Sequence, residues 1–156
     1  VQDFGNAFST FVAQNYGAGK KERIREGTRK SVVLVLGFCL IISAVVFGFA
    51  KQLLLIFVQP CETEILTVGV QYLRIEGAFY FGIGLLFLFY GYYRAVRKPG
   101  MSVILTVISL GTRVVLAYVL SAVPKIGVSG IWCAVPIGWI LADIAGWIYY
   151  KELQKR

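Results

Sequence analysis

Three ionisable residues, Glu76, Arg113 and Asp143, lie within stretches of sequence otherwise suited to a nonpolar solvent. A charged side chain near the centre of a bilayer costs at least about 2.5 kcal/mol even on lenient insertion scales. Groups held at that cost pair with one another, line a hydrated path or exchange an ion. Arg113 ends a polar series, Ser102, Thr106, Ser109 and Arg113, whose steps of four, three and four put it on one helix face. Such a stripe faces protein or a water-filled cavity, which makes Thr106 and Ser109 candidate cavity-lining groups. Phe79 and Tyr80, with Phe81, are the aromatic residues deep enough to cage a cationic substrate.

Depth along the helices sorts the three ionisable groups. With about 1.5 Å per helical residue, Glu76 lies ~27 Å above Arg94, Arg113 ~21 Å above Pro99, and Asp143 ~12 Å above Lys151. Glu76 is therefore the expected salt-bridge partner of Arg113, and the short "RKPG" turn joins their two helices. Asp143 has no basic residue at its own level. A carboxylate so placed either accepts hydrogen bonds from neighbouring helices or exchanges H⁺ or Na⁺ with the two sides of the membrane. Both roles stay open for Asp143, as structural and coupling roles do for the Glu76–Arg113 pair.

The elements that carry these residues are long and uncharged. The 156 residues are 58% hydrophobic and 15% charged, and no charge occurs from Ser31 to Ala50 or from Gly77 to Tyr93. A hydrocarbon core of about 30 Å takes about 20 apolar helical residues, so these runs read as membrane spans. The expected fold is all-α, a polytopic transmembrane bundle of about four full membrane helices plus the tail of a fifth. Its helices fall at approximately 1–16, 30–58, 65–96, 101–123 and 128–153. A basic linker to about Arg29, Pro60 with the "CETE" turn, the "RKPG" break and Pro124 separate them. Short connections make sequence neighbours antiparallel neighbours in space. The opening "VQDFGNAFSTFVAQNYGAG" is too short and polar for a whole span and lacks the basic start of a signal peptide, so it reads as beginning partway down a helix.

On the last helix Gly130, Ala134, Gly138, Ala142 and Gly146 recur every fourth residue. Small residues at that spacing let another helix backbone approach closely. Four residues overshoot one turn, so the ribbon winds and is expected to serve more than one neighbour. Trp132, Trp139, Trp147, Tyr149, Tyr150 and the "FLFYGYY" run at 87 to 93 read mostly as an interfacial aromatic belt.

The formal net charge of +8 is explained by where the charges lie. Lys20, Lys21, Arg23, Arg25, Arg29 and Lys30 form one basic site; Arg94, Arg97 and Lys98 a second; and Lys151, Lys155 and Arg156 a third. Between them, Gln59 to Leu66 has no Lys or Arg, and Ala122 to Gly127 has only Lys125. This is the positive-inside pattern, with the basic loops and C-terminus cytoplasmic, and it excludes nucleic acid as the partner in favour of the lipid bilayer. The chain has no histidine and no CxxC, so no metal site is expected, and Cys39 and Cys133 read as small hydrophobes. HExxH, GxSxG and P-loop patterns are missing, which excludes the corresponding enzymes.

"FVAQNYGAGKKERIREG" resembles the signature that follows the second helix of each lobe in the MATE (multidrug and toxic compound extrusion) family, with Gln14, Asn15, Gly17, Ala18 and Gly19 at the matching positions. "YYRAVRKPGMSVILTVISLGTRVVLAYVLS" is similar to the segment joining the tenth and eleventh helices of that family, and "GVSGIWCAVPIGWILADIAGWIYY" to its twelfth. The resemblance covers the whole chain but only about the last third of such a transporter. It implies that residues 1–156 are part of a C-terminal lobe whose N-terminal lobe is absent from this sequence. It further implies a two-lobed antiporter, with no cofactor, that exports small organic cations or amphipathic drugs in exchange for Na⁺ or H⁺, in a bacterial inner membrane. The sequence departs from the family where sodium-coupled members carry an acid midway along the tenth helix: Tyr80 to Gly84 holds none. Two other readings remain, a lipid or polysaccharide flippase of the same superfamily, which would favour a strongly cationic cavity, and a non-transporting membrane scaffold.

Overall fold

A computed structural model describes residues 1–123 and 127–155. Pro124 as a helix terminator, Lys125 as the lone basic residue of its turn, and Arg156 of the basic tail lie outside the described residues. The rest is helical: α1 (Gln2–Gly17), α2 (Lys21–Gly48), α3 (Ala50–Leu54), α4 (Thr63–Ala78), α5 (Tyr80–Ala95), α6 (Pro99–Ser121) and α7 (Val128–Lys155). Helices α2, α6 and α7 are each long and apolar enough to cross a membrane, and α4 with α5 makes a fourth span bent by 49°. The apolar windows of the three straight spans are only 11–33% buried inside the bundle, so most of their surface faces outward. An all-α polytopic bundle is what the hydropathy predicts, and it is what forms.

Several boundaries differ from the sequence reading, each for a local reason. The basic segment after Lys20 is not a linker but the first turns of α2. "KERIRE" is rich in good helix formers, Glu26 and Lys30 close an i,i+4 salt bridge of 2.7 Å, and buried Ile24 anchors the segment to the core. The Lys30 ammonium holds the Glu26 carboxyl below its ordinary range. At its other end α2 stops at Gly48, and Phe49 separates it from the short α3, so the expected helix to Val58 is broken well before Pro60. The expected helix over 65–96 is broken too. Phe79 (φ −109°, ψ 17°) interrupts it between two glycines, Gly77 and Gly82, which place little side-chain packing in the way of a kink. Pro99 does not break a helix; it occupies the first turn of α6, where a proline costs no hydrogen bond.

The chain reversal before Pro99 is made by Arg97, which adopts a left-handed conformation (φ 59°). The Lys98 N–H bonds the Tyr93 carbonyl at 2.8 Å and the Arg97 N–H bonds the Arg94 carbonyl at 3.3 Å, the two bonds of a Schellman cap. The "QNYGAGK" turn uses the same device. The Lys20 N–H reaches the Asn15 carbonyl at 2.9 Å, the Gly19 N–H reaches the Tyr16 carbonyl at 3.1 Å, and Gly19 takes the left-handed position (φ 69°).

The small-residue ribbon of α7 is buried along its whole length. At Gly138 it meets the backbone of α6, where a Cβ would stand 2.6 Å from the Ser109 carbonyl oxygen. Eight residues later Gly146 lies against the Phe89 ring of α5 and accepts a hydrogen bond from the Tyr93 hydroxyl. The ribbon thus winds from one neighbour to the next. Part of the expected aromatic belt is core: Tyr92, Tyr93, Trp139 and Tyr150 are buried, and the three tyrosines with Tyr149 form a cluster of ring contacts at 5.0–5.6 Å. Trp147 remains outside, half-exposed, under the Lys151 ammonium.

Candidate functional site

Helices α2 and α7 flank α5 and come together through side chains such as Thr28 and Tyr150, and the space between them forms a cavity of about 390 Å³. Its wall is almost wholly apolar, with Phe8, Phe81, Phe89 and Trp147 among the rings and Leu85, Leu88 and Ile144 among the aliphatic groups. Among the described residues, Asp143 is the only acidic or basic one lining it. The α7 helix brings Asp143 there because it lies next to Ala142 of the small-residue ribbon, which pins that face of α7 onto its neighbours. Its Oδ1 is buried without a hydrogen-bond partner, and its Oδ2 lies 3.8 Å from where a Gly82 Cβ would be. A side chain at position 82 would therefore narrow the approach to the carboxylate.

The expected Glu76–Arg113 salt bridge is not formed. Glu76 Oε1 and Arg113 Nε are both buried and unpartnered, although Arg113 is within electrostatic reach of Glu76. The Arg113 guanidinium instead lies over the ring of Trp139 on α7, 5.9 Å from the centroid. Glu76 stands near the end of α4, just before the Phe79 break.

Other residues singled out from the sequence take different places. Phe79 is exposed at the break and touches Phe81 at 6.3 Å between ring centroids, but of Phe79, Tyr80 and Phe81 only Phe81 lines the cavity. Thr106 donates to the Ser102 carbonyl or to the Tyr90 hydroxyl, and Ser109 is buried where α6 crosses Gly138. The polar stripe of α6 thus faces protein rather than this cavity. The signature turn, with Gln14, Asn15, Gly17, Ala18 and Gly19, lies at the basic end, where Asn15 is buried and donates to the Phe11 carbonyl at 2.8 Å. Sequence reading missed the cavity's main aromatic groups, Phe8, Phe89 and Tyr92. Phe8 lies on α1 and Phe89 and Tyr92 on α5, so only packing between helices brings them to Asp143.

These features define a polytopic integral membrane protein with an ionisable group inside its helical bundle. The MatE family model matches residues 2–119, and the chain belongs to that family, whose members are transporters rather than enzymes. It is similar to two Bacillus subtilis (strain 168) proteins. One is the probable multidrug resistance protein YoeA, 27% identical over 97% of this chain and 33% of the relative. The other is the probable multidrug resistance protein YpnP, 28% identical over 94% of this chain and 32% of the relative. Its fold matches the outward-facing conformation of a multidrug resistance MATE family transporter of the MOP superfamily, with a TM-score of 0.88 at 20% identity over 95% of this chain and 33% of that one. A MOP superfamily transporter from Pyrococcus furiosus, described by the reverse polarity of its binding pocket, matches with a TM-score of 0.87 at 19% identity over 95% of this chain and 33% of that one. The chain spans about a third of the length of these relatives.

Proposed function

We propose that this chain is part of the C-terminal lobe of a secondary active antiporter that exports cationic or amphipathic drugs in exchange for Na⁺ or H⁺. The observation that carries this reading is Asp143, a carboxylate with an unpartnered buried oxygen and, among the described residues, the only acidic or basic one lining an aromatic cavity inside the bundle. Such a group can take up a small cation from one side and give it up to the other, and the change in its charge can be linked to a change in helix packing. A cavity for an anionic lipid or polysaccharide headgroup would instead present Lys or Arg, which speaks against a flippase. The orientation we propose puts the basic end in the cytoplasm of a bacterium. In its support, Lys21 and Arg25 of α2, Lys98 before α6 and Gln154 of α7 surround one pocket, so the basic clusters of the chain gather at one end of the bundle. A second lobe, outside these 156 residues, completes the substrate path.

The test is gradient-driven efflux of a fluorescent organic cation by the full-length transporter in proteoliposomes. Asp143→Asn should abolish exchange while leaving insertion and yield unchanged. Efflux at the parental rate in that variant would remove Asp143 from the coupling step.

A further inference from the structure

The space between α2 and α7 continues past the Asp143 cavity towards the basic end of the bundle, and its lining changes character on the way. Thr28, Val32, Trp147 and Tyr150 line both the apolar cavity and an adjoining groove of about 750 Å³. In the groove the walls add Arg25 and Arg29, one turn apart on α2, and Lys151 on α7. The Lys151 ammonium lies over the Trp147 ring, 5.4 Å from its centroid. Two acids also line the groove, Glu22 and Glu26, but Glu26 is already closed by Lys30 at 2.7 Å. Among the described residues, Arg25, Arg29 and Lys151 make no ion pair, so three cations stand against one unpaired acid. At the apolar end the wall is open to the side of the bundle: Ile144 is 51% and Ile148 62% exposed, and Trp147 is half-exposed between them. The groove thus runs from a cationic end at the basic face to an apolar end on the flank of two membrane spans.

From this gradient we infer that the groove holds an anionic phospholipid of the leaflet at the basic end. Its phosphate lies among Arg25, Arg29 and Lys151, and one acyl chain follows Trp147 and Ile148 towards Ile144. Each guanidinium offers a fork of donors that matches two phosphate oxygens, and the ammonium adds a point charge. Trp147 stands at the boundary of the two ends, the level an indole favours in a bilayer. A basic pocket between membrane helices is a recurrent headgroup site. A zwitterionic lipid brings a cation of its own to the same place and gains less there, and an organic cation is repelled. The headgroup stays near the level of Lys151, about 12 Å short of Asp143, whose carboxylate would repel a phosphate brought closer. The lipid is therefore a resident of its leaflet and not cargo. It bridges α2 and α7, which otherwise meet here through side chains such as Thr28 and Tyr150. The inference stands apart from the coupling role of Asp143.

Trp147 is the reporter, because bromine quenches an indole that it touches. The full-length transporter, with every tryptophan except Trp147 replaced by Phe, is placed in phosphatidylcholine nanodiscs containing increasing fractions of lipid brominated on its acyl chains. Half-maximal quenching by brominated phosphatidylglycerol should come at a mole fraction about twentyfold below that of brominated phosphatidylcholine, from about fivefold for each of two uncompensated cations. Arg25→Gln with Arg29→Gln should erase the preference, and Arg25→Lys with Arg29→Lys, which keeps both charges, should retain most of it. Lys20→Gln with Arg23→Gln removes the same charge from α2 and its approach but outside the groove, and should leave the preference in place. Equal quenching by the two lipids overturns the inference. So does an unquenched Trp147, which would mean that protein covers the groove. Equal loss of preference in the Lys20→Gln, Arg23→Gln variant also overturns it, since diffuse surface charge would then suffice.

Discussion

Gly138 is a close approach of α7 to the backbone of α6, and it permits a quantitative test of that packing. A Cβ at this position would stand 2.6 Å from the Ser109 carbonyl oxygen, with the Ser109 carbonyl carbon at 3.5 Å and Cα at 3.7 Å. All three are backbone atoms, so no rotamer change can make room. Ordinary contact begins at 3.4 Å, so Gly138→Ala must part the helices by about 0.8 Å at the crossing. Overpacking of that kind costs about 1–3 kcal/mol, and alanine's better helix propensity returns at most about 1 kcal/mol. The matched control is Gly111→Ala on α6, where a Cβ meets nothing within 4 Å, so only the propensity gain remains. Unfolding in detergent, followed by reversible denaturation of the full-length protein, should place Gly138→Ala below the parent and Gly111→Ala at or above it. A Gly138→Ala protein as stable as Gly111→Ala would refute the close crossing.

Two further predictions concern the caps of α1 and α5. Gly19→Ala should destabilise the signature turn by about 1 kcal/mol because it forces a Cβ into the left-handed position, whereas Gly17→Ala, with an ordinary φ and open space around it, should be neutral; hydrogen exchange of the Lys20 amide reads the difference. Arg97→Gly should raise the stability of the α5 cap by about 1 kcal/mol, since arginine pays the left-handed penalty there and glycine does not. Slower exchange of the Lys98 amide is the expected signal, and unchanged exchange would count against the cap.

What the sequence made legible follows from which forces act within one helix and which act between helices. The spans, their number and the gathering of Lys and Arg at one end depend on composition along single segments, and the structure reproduces them. The ribbon of Gly130, Ala134, Gly138, Ala142 and Gly146 was equally readable, because a fourfold spacing on one helix fixes a face before any partner is known. Residues 21–29 were misread because charge suggested a linker, although their Glu, Lys and Arg are good helix formers that extend α2 into water. The Glu76–Arg113 bridge failed for a different reason. Axial height was close to right, but a salt bridge also needs azimuth, and azimuth was lost at the Phe79 break. Phe8 of α1 and Phe89 and Tyr92 of α5 were missed because contact between different helices, not spacing within one, brings them to the cavity.

The break and the close crossing act on the same group of residues from opposite sides. Gly138 adjoins Trp139, so the contact with Ser109 fixes the height of the indole against α6 and hence against Arg113, which follows Ser109 by one turn. Backbone-to-backbone contact leaves little freedom there. Glu76 stands on the other side, at the end of a half-helix that meets α5 at 49°. A change in that angle displaces Glu76 relative to Arg113 while Trp139 and Asp143 stay in place on α7. Glu76 is therefore the acid whose distance from the arginine is set by the bend of α4 against α5, while the close crossing sets the place of the arginine over Trp139.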